Sequence, residues 1–138
     1  AYTCTASASV VCHVGSKLVL IDSQPDSMEM DYNAVKFAIN ENTKAIIPLD
    51  LRVVPCDYDK LFEIVEEKKS IFKSSNELQE TIGRAAICTD AAHAFGTSCH
   101  DKMAGSISDF SNFSFHIVNL FETEMGNLNC NKRTGRAL

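Results

Sequence analysis

The chain has 138 residues, 45% of them hydrophobic, which suits one globular domain with a sizeable core and excludes a chain disordered throughout. A net charge of −5, with acids and bases interspersed, excludes a nucleic-acid surface, because phosphate binding needs clustered Lys and Arg. No apolar run approaches the length of a membrane span and the N-terminus lacks a charged-then-apolar leader, so the expectation is a soluble, cytoplasmic protein with no membrane partner.

Residues 5–14, TASASVVCHV, carry small side chains on one side and Val10, Val11 and Val14 on the other. With Gly15 behind them, they read as a short helix. The compact apolar run 17–22, KLVLID, reads as a buried strand, and 24–30 as a loop around Pro25. Asp31 is placed to cap a helix over 32–39, where Val35, Ala38 and Ile39 share helical spacing. After a polar turn at 40–43, the run 44–49, KAIIPL, is the next strand and 50–55 the loop after it.

Asp57 precedes a long amphipathic helix over 58–69, with Leu61, Ile64 and Val65 on one face and charges on the other. Residues 70–75 break it, and a further helix over 76–82 stops before Gly83. The segment 84–126 then reads as an apolar strand at 85–88 ending in the acid Asp90. A small-residue turn with His93 and Gly96 follows, then a later strand carrying Ser114 and His116. Strands alternating with helices predict right-handed crossovers and an α/β fold, a mainly parallel sheet with helices on both faces. No internal repeat is visible.

Six cysteines, Cys4, Cys12, Cys56, Cys88, Cys99 and Cys130, form no CxxC pair and no regular framework, which predicts reduced thiols, several acting as small apolar side chains. The histidines His13, His93, His100 and His116 invite a metal site. Only Cys99 and His100 are adjacent, and neighbours in sequence do not converge readily on one ion, so no metal is expected. No nucleophile elbow, GxGxxG or Walker motif is present. What remains is Asp90 with His93, Ser114 with His116, and Tyr2 near Thr5. An ionised acid at a strand end keeps a pyridine nitrogen protonated, a hydroxyl binds phosphate, and an aromatic stacks on a ring. The residue types are therefore compatible with a pyridine-type cofactor, and equally with a capped strand and an ordinary turn.

In order, the chain carries YTCTASASVVCHVGSKLVLID, NENTKAIIPLDL, VPCDYD, DAAHAFG, GSISDF and SFH. This order of motifs resembles the DegT/DnrJ/EryC1/StrS family of sugar aminotransferases. The resemblance implies part of the large domain of a fold type I enzyme dependent on pyridoxal phosphate. It implies 1–126 as a partial, truncated large domain and 127–138 as a divergent tail, the chain being a piece of a larger polypeptide. By resemblance Tyr2 stacks on the cofactor ring, Asp90 pairs with its nitrogen, His93 lies on its hydroxyl side and Ser114 contacts its phosphate. The implied partners are a nucleotide sugar, glutamate and a second copy in a homo-oligomer.

One departure bears on activity. The family pattern resembles SFHAVKNLTTAEGG, whose Lys forms the Schiff base with the cofactor. Here Val118 is followed directly by Asn119, so that Lys is absent between them and no catalytic residue is assigned. Arg52 and Val53 also stand where the family has small residues. The expectation is a sugar aminotransferase fragment without turnover, the alternative being a binding or interaction module that keeps the fold.

Overall fold

The computed structural model describes residues 2–51, 55–99 and 101–115. His100, Arg52, Val53, His116, the Val118–Asn119 junction and the 127–138 tail lie outside them. The chain forms two compact units, Ala1–Ile47 with Asp59–Ala86, and Pro48–Tyr58 with Ile87–Leu138.

The first unit is mostly helical. Helix α1, Thr5–His13, matches the expected span and buries none of its residues. Helix α2, Tyr32–Ala38, starts where Asp31 accepts hydrogen bonds from the N–H groups of Asn33 at 2.9 Å and Ala34 at 3.1 Å. This pairs two of the donors that a helix start leaves without partners. Strand β1 is only Ala45–Ile46, followed in sequence by helix α3, Tyr58–Glu67, and a 3₁₀ turn at Lys69–Ile71. The amphipathic stripe of α3 behaves as its spacing requires, with Leu61 and Val65 buried. On its charged face Glu66 pairs with Arg84 at 3.1 Å, and Glu67 with Lys36 at 2.7 Å. Helix α4, Glu77–Ile82, is polar and unburied, and is bounded by its ends: the Asn76 side chain accepts from the Gln79 N–H, and Gly83 takes the left-handed conformation at φ 68°.

Two strand expectations need correction. Residues 17–22 do not form a strand, and Val19 and Leu20 are exposed. A strand requires a neighbouring backbone, and the pairing next to this run is an isolated bridge of Ser23 with Met30, where the Asp22 carbonyl accepts from the Asp31 N–H at 2.9 Å. The expected strand at 44–49 is cut to β1 because Pro48 has no N–H to donate. Pairing resumes one residue later, where Leu49 forms an isolated parallel bridge with Asp90.

Strand β2, Ala86–Asp90, passes from the first unit to the second and ends on the expected acid. After it come the hairpin of β3, Ser98–Cys99, with β4, Lys102–Met103, and then strand β5, Phe110–Asn112. The three-stranded sheet has the order β1-β2-β5. Strands β2 and β5 run parallel with Cys88 opposite Phe110, Thr89 opposite Ser111 and Asp90 opposite Asn112. The fold is an open, mainly parallel α/β sheet, as expected. The later strand, however, stops at Asn112, so Ser114 follows β5 rather than lying in it.

Asp31→Ala is expected to cost about 1 kcal/mol of stability in urea unfolding, and Asp31→Asn much less, because only the former removes the capping acceptor. Equal unfolding midpoints for the parent and Asp31→Ala would contradict the capping role.

Candidate functional site

The C-terminal end of β2 gathers the expected site residues of the second unit. Asp90 is the last residue of the strand and is half-buried. Its backbone is held on one side by the 48–50 segment: the Asp90 N–H donates to the Pro48 carbonyl at 2.9 Å, and the Asp50 N–H donates to the Asp90 carbonyl at 3.0 Å. On the other side the Ala91 N–H donates to the Asn112 carbonyl at 2.8 Å. The Asp90 carboxylate accepts from the Ala92 N–H at 3.2 Å, which folds the chain into the turn carrying His93. Ala91 and Ala94 are fully buried, anchoring this turn from beneath.

Ser114 reaches the same edge by a different route. It lies two residues beyond Asn112, the register partner of Asp90, so Asp90 ends β2 and Ser114 follows β5 at the C-terminal edge of adjacent parallel strands. Phe113 and Phe115, which flank it, both pack edge-on against Phe95 of the turn, with ring centroids 5.6 and 5.3 Å away. Gly105, at φ 88°, leaves room for this arrangement, since a Cβ there would lie 2.5 Å from the Phe113 ring. At the opposite end of the strand pair, the Asp109 carboxylate accepts from the Ile87 N–H at 2.8 Å, fixing the register from its start. Asp90, His93 and Ser114 thus share one unit and one sheet edge. Tyr2 belongs to the first unit and is exposed.

Behind Asp90 lies a polar cluster that sequence reasoning missed. Asp50, only 1% exposed, accepts from the Cys56 N–H at 3.0 Å and from the Tyr58 hydroxyl, which sits 2.8 Å from both carboxylate oxygens. The Tyr58 oxygen is also 2.9 Å from the hydroxyl of buried Thr89, the residue before Asp90. Burial pushes the Asp50 carboxyl above its usual range, and the nearby Asp90 charge adds to this. The Cys56 and Tyr58 hydrogen bonds oppose the shift. Burial, then the Asp50 charge, likewise push the Tyr58 hydroxyl up. The available signal was Asp50 itself, an acid closing an apolar run in the same way as Asp90.

The donor set fits a phosphorylated pyridine: a carboxylate at a strand end for a ring N–H⁺, and a hydroxyl beyond the next strand for a phosphate oxygen. Among the described residues no three His, Cys, Asp or Glu side chains converge as a metal site, and no helix is long and apolar enough to cross a membrane.

Residues 1–127 match the DegT/DnrJ/EryC1/StrS aminotransferase family. The chain belongs to that family. GDP-perosamine synthase of Caulobacter vibrioides is 29% identical over 126 residues, covering 91% of this chain and 30% of that protein. An uncharacterized protein of Methanocaldococcus jannaschii is 28% identical over 127 residues, covering 92% of this chain and 29% of its own length. Among solved structures, Spr1654 of Streptococcus pneumoniae, described as a sugar aminotransferase and solved in PLP, PMP and apo forms, superposes with a TM-score of 0.81. It is 47% identical and covers 83% of this chain and 29% of its own. The fold is therefore that of the fold type I sugar aminotransferases, and the chain spans about three tenths of the length of these DegT/DnrJ/EryC1/StrS relatives.

The raised carboxyl of Asp50 sets a pH dependence. Folding raises its proton affinity, so its contribution to stability is fully present below the ordinary value of 3.8 and is lost as pH rises through the folded value. Urea unfolding from about pH 4 to about pH 7 should therefore show the parent losing stability relative to Asp50→Asn. A parent–variant difference that stays constant across that range would contradict the burial account.

Proposed function

We propose that this chain carries the cofactor-binding core of a nucleotide-sugar aminotransferase and that, as its sequence stands, it does not turn over. The observation that carries the reading is the shared edge of β2 and β5, where Asp90 ends one strand and Ser114 follows the adjacent parallel one. The group to be held is pyridoxal phosphate, which when bound supplies a protonated ring that stabilises negative charge on an attached carbon. Asp90 holds the proton on the ring nitrogen. Ser114 donates its hydroxyl to a phosphate oxygen. His93 sits in the turn after Asp90, and its role beside the ring hydroxyl is carried by the resemblance. The stacking role of Tyr2 is carried by the resemblance alone.

The substrate class, a nucleotide sugar with glutamate as amino donor, is supported by the resemblance and by GDP-perosamine synthase among the relatives. Self-association likewise follows the family resemblance. The absence of turnover rests on the sequence: Val118 is joined directly to Asn119 where the family carries its Schiff-base lysine. A Schiff base needs a primary amine, and neither hydroxyl nor imidazole supplies one. That same junction favours a second reading, in which the fold serves as a module that holds cofactor or nucleotide sugar without covalent linkage.

Pyridoxal phosphate added to the purified chain, followed by borohydride reduction and mass spectrometry, checks this. The expected result is no adduct on a single lysine and no conversion of glutamate to 2-oxoglutarate. One specifically modified lysine together with 2-oxoglutarate formation would overturn the inactive reading.

A further inference from the structure

The buried cluster behind Asp90 has no counterpart in the roles assigned above. Asp50, Tyr58 and Thr89 are 1%, 6% and 3% exposed, so none presents itself to a ligand. Buried polar groups cost stability unless fully hydrogen-bonded, which makes a dense buried network an expensive way to fill a core. Apart from the Cys56 N–H bound to Asp50, its connections lead to one residue. The Tyr58 hydroxyl has a single hydrogen and donates it to the Asp50 carboxylate, so its contact with Thr89 has the Thr hydroxyl as donor. Thr89 is joined to Asp90 by a peptide bond. Asp50 is joined to Asp90 by its own N–H, and Asp90 in turn donates to Pro48, two residues before Asp50. The chain's path through Pro48, Asp50 and Tyr58 therefore grips the Asp90 peptide from both the backbone and the preceding side chain.

We propose that Tyr58 and Thr89, gathered on Asp50, are positioning residues that fix the Asp90 carboxylate for a pyridinium partner. The proposal rests on the cofactor reading above for the identity of that partner, but not for the position of Asp90. Tyr58→Phe deletes one hydroxyl and leaves the ring in its place. Asp50 then loses its phenolic donor and the Thr89 hydroxyl loses its acceptor. Thr89→Val deletes the other hydroxyl at nearly constant shape, and Thr89→Ser retains it.

Two readouts on the whole chain separate positioning from general stability. The first needs no cofactor: amide hydrogen exchange at Asp90, referenced to Ile87 in the same strand, whose N–H is held by Asp109 instead. Tyr58→Phe and Thr89→Val should accelerate exchange at Asp90 by about tenfold relative to Ile87, while Thr89→Ser should match the parent. Equal acceleration at both amides, or none, would overturn the proposal by reducing the cluster to a structural role. The second readout is the ring ¹⁵N chemical shift of bound ¹⁵N-labelled pyridoxamine 5′-phosphate. It should lie in the protonated range in the parent and Thr89→Ser, and move toward the unprotonated range in Tyr58→Phe and Thr89→Val. An unmoved shift in both variants would also overturn the proposal. Failure of the parent to bind the probe would overturn the cofactor reading, and the exchange ratio would then decide alone whether the cluster positions Asp90.

Discussion

The structure depends on how the Asp90 peptide is held. Its N–H and C=O are tied to Pro48 and Asp50, and the next N–H to Asn112, so three stretches distant in sequence are locked in one register. Side chains alternate along a strand, and a slip of one residue would turn Asp90 to the other face and remove Ser114 from its level. The hydrogen bond from Ile87 to Asp109 and the aromatic contacts of Phe95 with Phe113 and Phe115 guard the same register from either end of β5. An acid and a hydroxyl brought to one edge are a consequence of parallel pairing, and the functional reading follows from that geometry.

Local chemistry made much of this legible in advance. The start of α2 was readable from Asp31, because a cap acts on donors two or three residues away and needs no tertiary partner, whereas Asn76, read as the first helical residue, is the cap of α4. Helix α3 was readable from its stripe of Leu61, Ile64 and Val65. The strands were less so, since pairing is a property of two segments. The run 17–22 has strand composition without a strand neighbour, and the Pro at 48 interrupts a run that composition alone would extend. The two acids make the point most sharply. Asp50 and Asp90 both close apolar runs, yet one is buried under Tyr58 and the other sits half-buried at an edge, a difference set by tertiary contacts, among them that of Tyr58 with Thr89, 31 positions away.

Fold and chemistry also place different demands on the chain. The sheet edge rests on backbone pairing, small buried residues at Ala91 and Ala94, and aromatic packing. Turnover by a Schiff base needs one amine in one place. By the resemblance, that amine belongs where Val118 here meets Asn119 directly, a position beyond the sheet edge. Binding and catalysis thus make separate demands on a chain, and binding is the property on which the site geometry bears.

The most direct measurement of that property is calorimetric titration of pyridoxamine 5′-phosphate into the parent and into Asp90→Asn. A carboxylate–pyridinium contact would be a charge-assisted hydrogen bond, so under the proposed reading its loss is expected to weaken binding by about tenfold or more while leaving the fold intact. Equal affinity of the two proteins for the probe would contradict the assignment of Asp90 and, with it, the cofactor edge described here.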